Sequence, residues 1–243
     1  MSSTAKNPLV FIGTYTEREG SQSKGIYVYE LSLSTGELTR ERKVEGVLNP
    51  SYLDLHPERN FLYAINEVES FAGEEGGGVS AFALDPETGE LTRLNAQSSG
   101  GKSPCYISIE QTGRFVLVAN YGGGNIAMLP IQEDGRLGAA SDVVQHSGSS
   151  VHPERQTAPF LHSIRPDPTN RFAVAADLGT DRLMIYAMDV DIGKLTTHAE
   201  IKVKPGSGPR HTIFHPNGNY LYLINELNST LVVYRYNADA GSL

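Results

Sequence analysis

The chain has a single cysteine and no tryptophan. One thiol cannot close an intrachain disulfide or build a cysteine-rich metal site. Positive charge is also scarce, with 20 Lys and Arg against 28 Asp and Glu and a formal net charge of −8. Nucleic acid and anionic membrane surfaces are bound through basic patches, so this balance argues against both as partners. Long apolar runs are missing too. Residues 1–8 are polar and are followed only by Leu9-Val10-Phe11-Ile12-Gly13, which is too short for a secretory signal. No stretch approaches the apolar length of a membrane span. The expectation is a cytoplasmic protein.

What the chain does have is glycine, 25 residues of it, placed at a repeating interval. An x-Gly-x-Leu turn recurs at Thr35-Gly36-Glu37-Leu38, Thr88-Gly89-Glu90-Leu91, Asp134-Gly135-Arg136-Leu137, Ile192-Gly193-Lys194-Leu195 and Ala240-Gly241-Ser242-Leu243. A second signal opens a strand at Asn49-Pro50-Ser51-Tyr52, Ser103-Pro104-Cys105-Tyr106 and Gly208-Pro209-Arg210-His211. Pro50 and Pro209 stand three periods apart, so the unit is about 53 residues long. Each unit reads as two short apolar strands around a tight turn, a third strand, the x-Gly-x-Leu turn and a weaker fourth strand. No segment carries a helical stripe of useful length. Four short strands per unit with glycine and asparagine turns predict an all-β fold, a β-propeller of four-stranded antiparallel blades.

Aligning the units on the turn before the second strand superposes the first strands. One position then holds Ser51, Cys105, His162 and Arg210. Side chains alternate between faces along a strand, and first strands line a propeller's central channel, so His162 and Arg210 are expected to enter one channel mouth from adjacent blades. The second strands end on Asn66, Asn120, Asp177 and Asn225, whose sameness predicts a structural bond to turn backbone. The next position holds Glu67, Tyr121, Leu178 and Glu226, making Glu67 and Glu226 candidates to face the channel. His211, one residue off the His162 register, is expected to point toward the neighbouring sheet. His56 and His215 precede prolines at turns and are expected to be structural. Cys105 has no evident base beside it to make it a nucleophile. Tyr121-Gly122-Gly123-Gly124 is expected to be a hairpin turn, because no helix and no Lys-Ser/Thr follows. The long link from Gly138 to Ala158 is expected to fold over the mouth and to bring Arg155 and Gln156 to a substrate.

Four of these stretches together resemble a known family. Ala119-Asn120-Tyr121-Gly122-Gly123-Gly124, His162-Ser163-Ile164 before Asp167-Pro168, Ala176-Asp177-Leu178-Gly179-Thr180-Asp181-Arg182 and Gly208-Pro209-Arg210-His211 are similar to the seven-bladed β-propeller lactonases. That family includes propeller-type 6-phosphogluconolactonases and carboxy-muconate lactonizing enzymes. The likeness runs from about Leu9 to the end. Phe160 stands where members often have a second histidine. Seven units of this period need about 370 residues, and this chain holds about 4.6 of them. The expectation is one incomplete propeller domain over residues 1–243, cut at its C-terminal side, lacking a further arginine of a later blade and open to inactivity for that reason.

Ester hydrolysis of a lactone needs a base for water, a cation for the developing oxyanion and a holder for the anionic sugar acid. The resemblance implies His162, Arg210 and Glu226 as the catalytic set. Arg155, Gln156 and Glu67 are the substrate-binding candidates, and the ligand expected is a small anionic sugar lactone, foremost 6-phosphogluconolactone. This chemistry calls for no cofactor and no metal. The competing readings are a non-catalytic propeller binding module and a muconate-type lactonizing cycloisomerase.

Overall fold

The computed structural model describes residues 7–243. The regular structure among them is β, and no helix there is long and apolar enough to cross a membrane. The first sheet holds β1 (Leu9–Ile12), β2 (Gly25–Leu31) and β3 (Leu38–Glu45). The second holds β4 (Leu53–Leu55) and β5 (Phe61–Asn66); after a small hairpin of β6 (Ser70–Phe71) and β7 (Glu74–Glu75) it continues with β8 (Gly78–Leu84) and β9 (Leu91–Ser98). The third is β10 (Pro104–Ile109), β11 (Phe115–Asn120), β12 (Asn125–Pro130) and β13 (Asp142–Gln145). The fourth is β14 (Leu161–Pro166), β15 (Phe172–Asp177), β16 (Arg182–Asp189) and β17 (Lys194–Lys202). The fifth is β18 (Pro209–Phe214), β19 (Tyr220–Asn225) and β20 (Thr230–Arg235). Every pairing within a sheet is antiparallel between neighbours. The four-stranded unit expected from the repeat is therefore met in the three middle sheets. The link before β14 is shorter than expected, because β13 forms inside it.

Consecutive sheets share cores. Ile26 and Val28 of the first meet Leu62, Ala64 and Phe82 of the second. Tyr63, Ile65 and Val79 meet Val116, Val118 and Leu129 of the third. Leu117, Ala119 and Met128 meet Leu161, Ile164 and Ala175 of the fourth, and Val174 and Leu183 meet Leu221 and Leu223 of the fifth. A middle sheet thus buries both faces, which is why β11 and β15 are buried at every residue and lose the apolar–polar alternation of a one-sided strand. Alternation returns in β20, and Ile213, Ile224, Leu231 and Val233 lie exposed on the fifth sheet's far face.

The x-Gly-x-Leu turns explain their glycine twice. Gly36, Gly89, Gly135, Gly193 and Gly241 all have φ between 58° and 83°, the left-handed region that disfavours a Cβ. A Cβ at Gly135, Gly193 or Gly241 would also strike the ring of Phe61, Phe115 or Phe172, the residue that opens the second strand of the preceding sheet. These three turns are therefore joints between sheets.

The first strands adjoin one another in order, β4 with β10, β10 with β14 and β14 with β18. In the last three the ladder skips one residue at the same place. The pairing jumps from Pro104 to Tyr106, from Leu161 to Ser163 and from Pro209 to His211. Cys105, His162 and Arg210 are the extra residues of β-bulges, which re-aim a side chain away from the sheet.

Candidate active site

Those bulges open into a cavity of about 240 Å³. It is lined by Tyr15, Ser51, Tyr52, Glu67, Cys105, Tyr121, Arg155, His162, Arg210, His211 and Glu226. Five of the six candidates singled out from sequence are therefore brought together. Gln156 is the exception. It is 1% exposed, its Nε2 donates to the Leu178 carbonyl at 2.9 Å, and its Oε1 accepts from His152 N at 3.0 Å. Its amide is consumed in folding the loop that carries Arg155, so it does not line the cavity.

Glu226 sits at the centre of the charged groups. It accepts from Arg155 on one oxygen and from Arg210 Nε at 3.0 Å on the other, and His162 Nε2 lies 3.5 Å from that second oxygen. Burial alone would raise its carboxyl, but Arg155, His162 and Arg210 hold it below the usual carboxylate range. It is an anion that clamps two guanidiniums from two different segments. Tyr121 accepts from Arg155 at 3.5 Å, stacks on Phe160 with centroids 4.8 Å apart and meets the His162 ring edge-on at 5.4 Å.

His162 is mostly enclosed, with 12% of its side chain exposed. Burial, reinforced by the positive charge of Arg210, pushes its imidazole down to about 4, with Glu226 pulling the other way. At neutral pH the ring is uncharged. Its Nδ1 lies 3.5 Å from Cys105 Sγ. A base does stand beside that thiol, contrary to the expectation, yet burial pushes the thiol pKa up and keeps it protonated.

His211 departs from its expected direction. Strict alternation would send it toward the neighbouring sheet, but the bulge at Arg210 puts two successive residues on the channel side. Its ring lies 5.2 Å from that of His162, 5.1 Å from Tyr106 and 6.0 Å from Tyr52. Burial and then the neighbouring His162, Arg210 and Arg165 push it down to about 3, and its Nε2 has no hydrogen-bond partner among the described residues.

The supporting bonds follow the repeat. Asn66 and Asn120 donate to the carbonyls of Leu48 and Ser99, and Asp177 accepts from the amides of Phe160 and Gly179, as expected of that column. Asn225 differs and donates to the Thr230 hydroxyl at 3.1 Å. His56 and His215 each accept turn amides on Nδ1, the structural duty expected. Gly122 to Gly124 form the turn between β11 and β12.

Asp181, which the sequence shows only as one residue of the family-like stretch Ala176 to Arg182, ties the site's segments together. It is 4% exposed and has φ of 54°. Its carboxylate accepts from Ser150 Oγ at 2.6 Å, Gly206 N at 2.7 Å and Gly208 N at 2.8 Å. The Gly208 carbonyl in turn accepts from Glu226 N at 2.8 Å. One buried acid thus joins the loop bearing Arg155, the strand bearing Arg210 and the turn bearing Glu226.

The model of the family described as lactonase, 7-bladed β-propeller, matches residues 9–243. The chain belongs to the seven-bladed β-propeller lactonase family. A 6-phosphogluconolactonase of Bacillus subtilis is 36% identical over 231 residues, which is 95% of this chain and 63% of that protein. A 6-phosphogluconolactonase of Formosa agariphila is 31% identical over 93% of this chain and 63% of its own length. The solved periplasmic gluconolactonase of Pseudomonas aeruginosa superposes with a TM-score of 0.87 at 32% identity, covering 97% of this chain and 65% of that one. The chain therefore spans less than two thirds of the length of these relatives. The five sheets described are blades of that propeller, and the cavity lies where their first strands converge.

Proposed function

We propose that this chain hydrolyses a small anionic sugar lactone, foremost 6-phosphogluconolactone, with His162 as general base. The observation that carries the reading is the uncharged imidazole of His162 facing a carboxylate clamped by two arginines in one cavity. The relatives named 6-phosphogluconolactonase support the substrate class. In the proposed step the Nε2 lone pair accepts a proton from water while the water oxygen bonds to the lactone carbonyl carbon. A separation of 3.5 Å from Glu226 is too long for a strong hydrogen bond, so Nε2 stays available to water. The carbonyl oxygen gains the electron pair, and the Arg210 guanidinium stabilises that oxyanion. The intermediate collapses, the ring C–O bond breaks, and the imidazolium returns its proton to the leaving alkoxide. The products are the open-chain carboxylate, the freed hydroxyl and one released proton. Arg155 holds the anionic end, and Glu226 orients both guanidiniums.

The test is 6-phosphogluconolactone hydrolysis by the purified chain against the spontaneous rate. His162→Ala is expected to lose about 10²–10⁴-fold in kcat, the usual share of a general base, with an unchanged circular dichroism spectrum. A wild-type rate equal to the blank overturns the proposal.

A further inference from the structure

We infer that Glu67, set by Ser51 and Tyr15, is a hydroxyl-reading subsite that selects polyhydroxylated over carboxylated lactones; this rests on the lactonase reading of the cavity. Glu67 follows β5 at the repeat position that Glu226 occupies after β19, so the two carboxylates enter the same cavity from different blades. Their surroundings are opposite. Glu226 is bound by two arginines, whereas no ion pair is formed by Glu67 among the described residues. Glu67 instead takes two neutral hydroxyl donors on a single oxygen, Tyr15 Oη at 2.9 Å and Ser51 Oγ. Its other oxygen, Oε1, has no donor among the described residues. An ionised carboxyl accepts on both oxygens, so Oε1 is an open acceptor at the cavity wall.

The wall is preorganised. Asn49 Nδ2 donates to the Glu67 carbonyl at 3.0 Å, and Asn49 Oδ1 accepts from Thr16 N and Glu17 N, both at 2.9 Å. The loop bearing Tyr15 is thereby fixed to the residue it contacts. The cavity has an arginine side, Arg155 and Arg210, and an unpaired carboxylate side, Glu67. A ligand matching both carries an anionic group at one end and O–H donors at the other. A hydroxyl-free polycarboxylate would place a second carboxylate against Glu67, and like charge without a donor rejects it. The subsite therefore favours a sugar acid over a muconate-type acid.

Calorimetric titration separates this from turnover. The probes are gluconate, a polyol with a single carboxylate at one end, and adipate, a hydroxyl-free dianion of similar reach. The wild-type chain is expected to bind gluconate at least tenfold more tightly than adipate. Glu67→Ala is expected to lose about 10–100-fold for gluconate, the range for a hydrogen bond to a charged group, and to bind adipate no more weakly than wild type. Tyr15→Phe leaves the carboxylate in place and is expected to show a smaller loss for gluconate alone, which guards against a misfolded Glu67 variant. Equal losses for both probes, unchanged gluconate binding in Glu67→Ala, or no wild-type preference overturns the inference. Selective binding without any lactone hydrolysis upholds the subsite and overturns the catalytic proposal instead.

Discussion

If neutral His162 is the base, the acid limb of the rate profile reports an imidazole that titrates near 4 instead of at the ordinary 6.5. The two cases differ most near pH 5. A histidine titrating at 6.5 is uncharged in about 3% of molecules there, and one titrating at about 4 in about 90%, so the expected rate is about thirtyfold higher than an ordinary histidine allows. The groups facing His162 are Glu226, Arg155, Arg210, His211, Cys105 and Tyr121. The arginines keep their charge through this range. Arg155, His162 and Arg210 hold Glu226 below the usual carboxylate value and His211 titrates at about 3, so neither group produces a midpoint near 6.5. The assay is kcat/KM for glucono-δ-lactone between pH 4 and 8, with spontaneous hydrolysis subtracted at each pH. A lactone without phosphate removes the substrate's own titration from the profile. A plateau from about pH 5 upward is expected. A midpoint near 6.5 would refute the link between burial, Arg210 and the neutral base.

Stability should follow the same groups with the opposite emphasis. His162 and His211 titrate lower in the folded chain than in the unfolded one, so the unfolded state takes up protons first, and Tm should fall as pH drops from about 6.5 toward 4; a flat Tm would contradict this. Asp181→Ala strands Ser150 Oγ and two amides, and is expected to destabilise by about 3 kcal/mol in urea titration while raising KM. Asp181→Gly relieves the left-handed backbone and should unfold at a higher urea midpoint than Asp181→Ala. Leu117→Ala empties the core between the third and fourth blades and should lower stability by about 2–5 kcal/mol. At Gly179 a Cβ would strike the Ala158 carbonyl and crowd Phe160 N, so Gly179→Ala should cost about 1–3 kcal/mol and weaken substrate binding by moving the Arg155 loop.

The parts of this fold that follow from backbone chemistry were legible. The x-Gly-x-Leu turns announce a left-handed residue, and all five have one. The turns before the second strands set the register that brings His162 and Arg210 to one cavity, with Leu161 in the place of the prolines that open the other first strands. Glu67 and Glu226 follow from the parallel register of the second strands. The rest depends on contacts distant in sequence. Tyr15 reaches Glu67 across 52 residues from a blade without the proline signal. Asp181 is one charged residue beside a turn until Ser150, Gly206 and Gly208 converge on it. Gln156 and His211 were misplaced for local reasons. An amide already satisfied by Leu178 has nothing left for a ligand, and an alternation rule fails across a bulge.

The skipped ladder position in β10, β14 and β18 separates two kinds of inheritance. A residue with no partner opposite it is free of the pairing rules that constrain the strand around it. Cysteine, histidine and arginine therefore occupy equivalent sites in neighbouring blades without altering the blades themselves. The ladder supplies the frame, and the residue at the skipped position supplies the chemistry. A ring of repeated blades can thus carry an asymmetric set of reagents that differ by one side chain per blade.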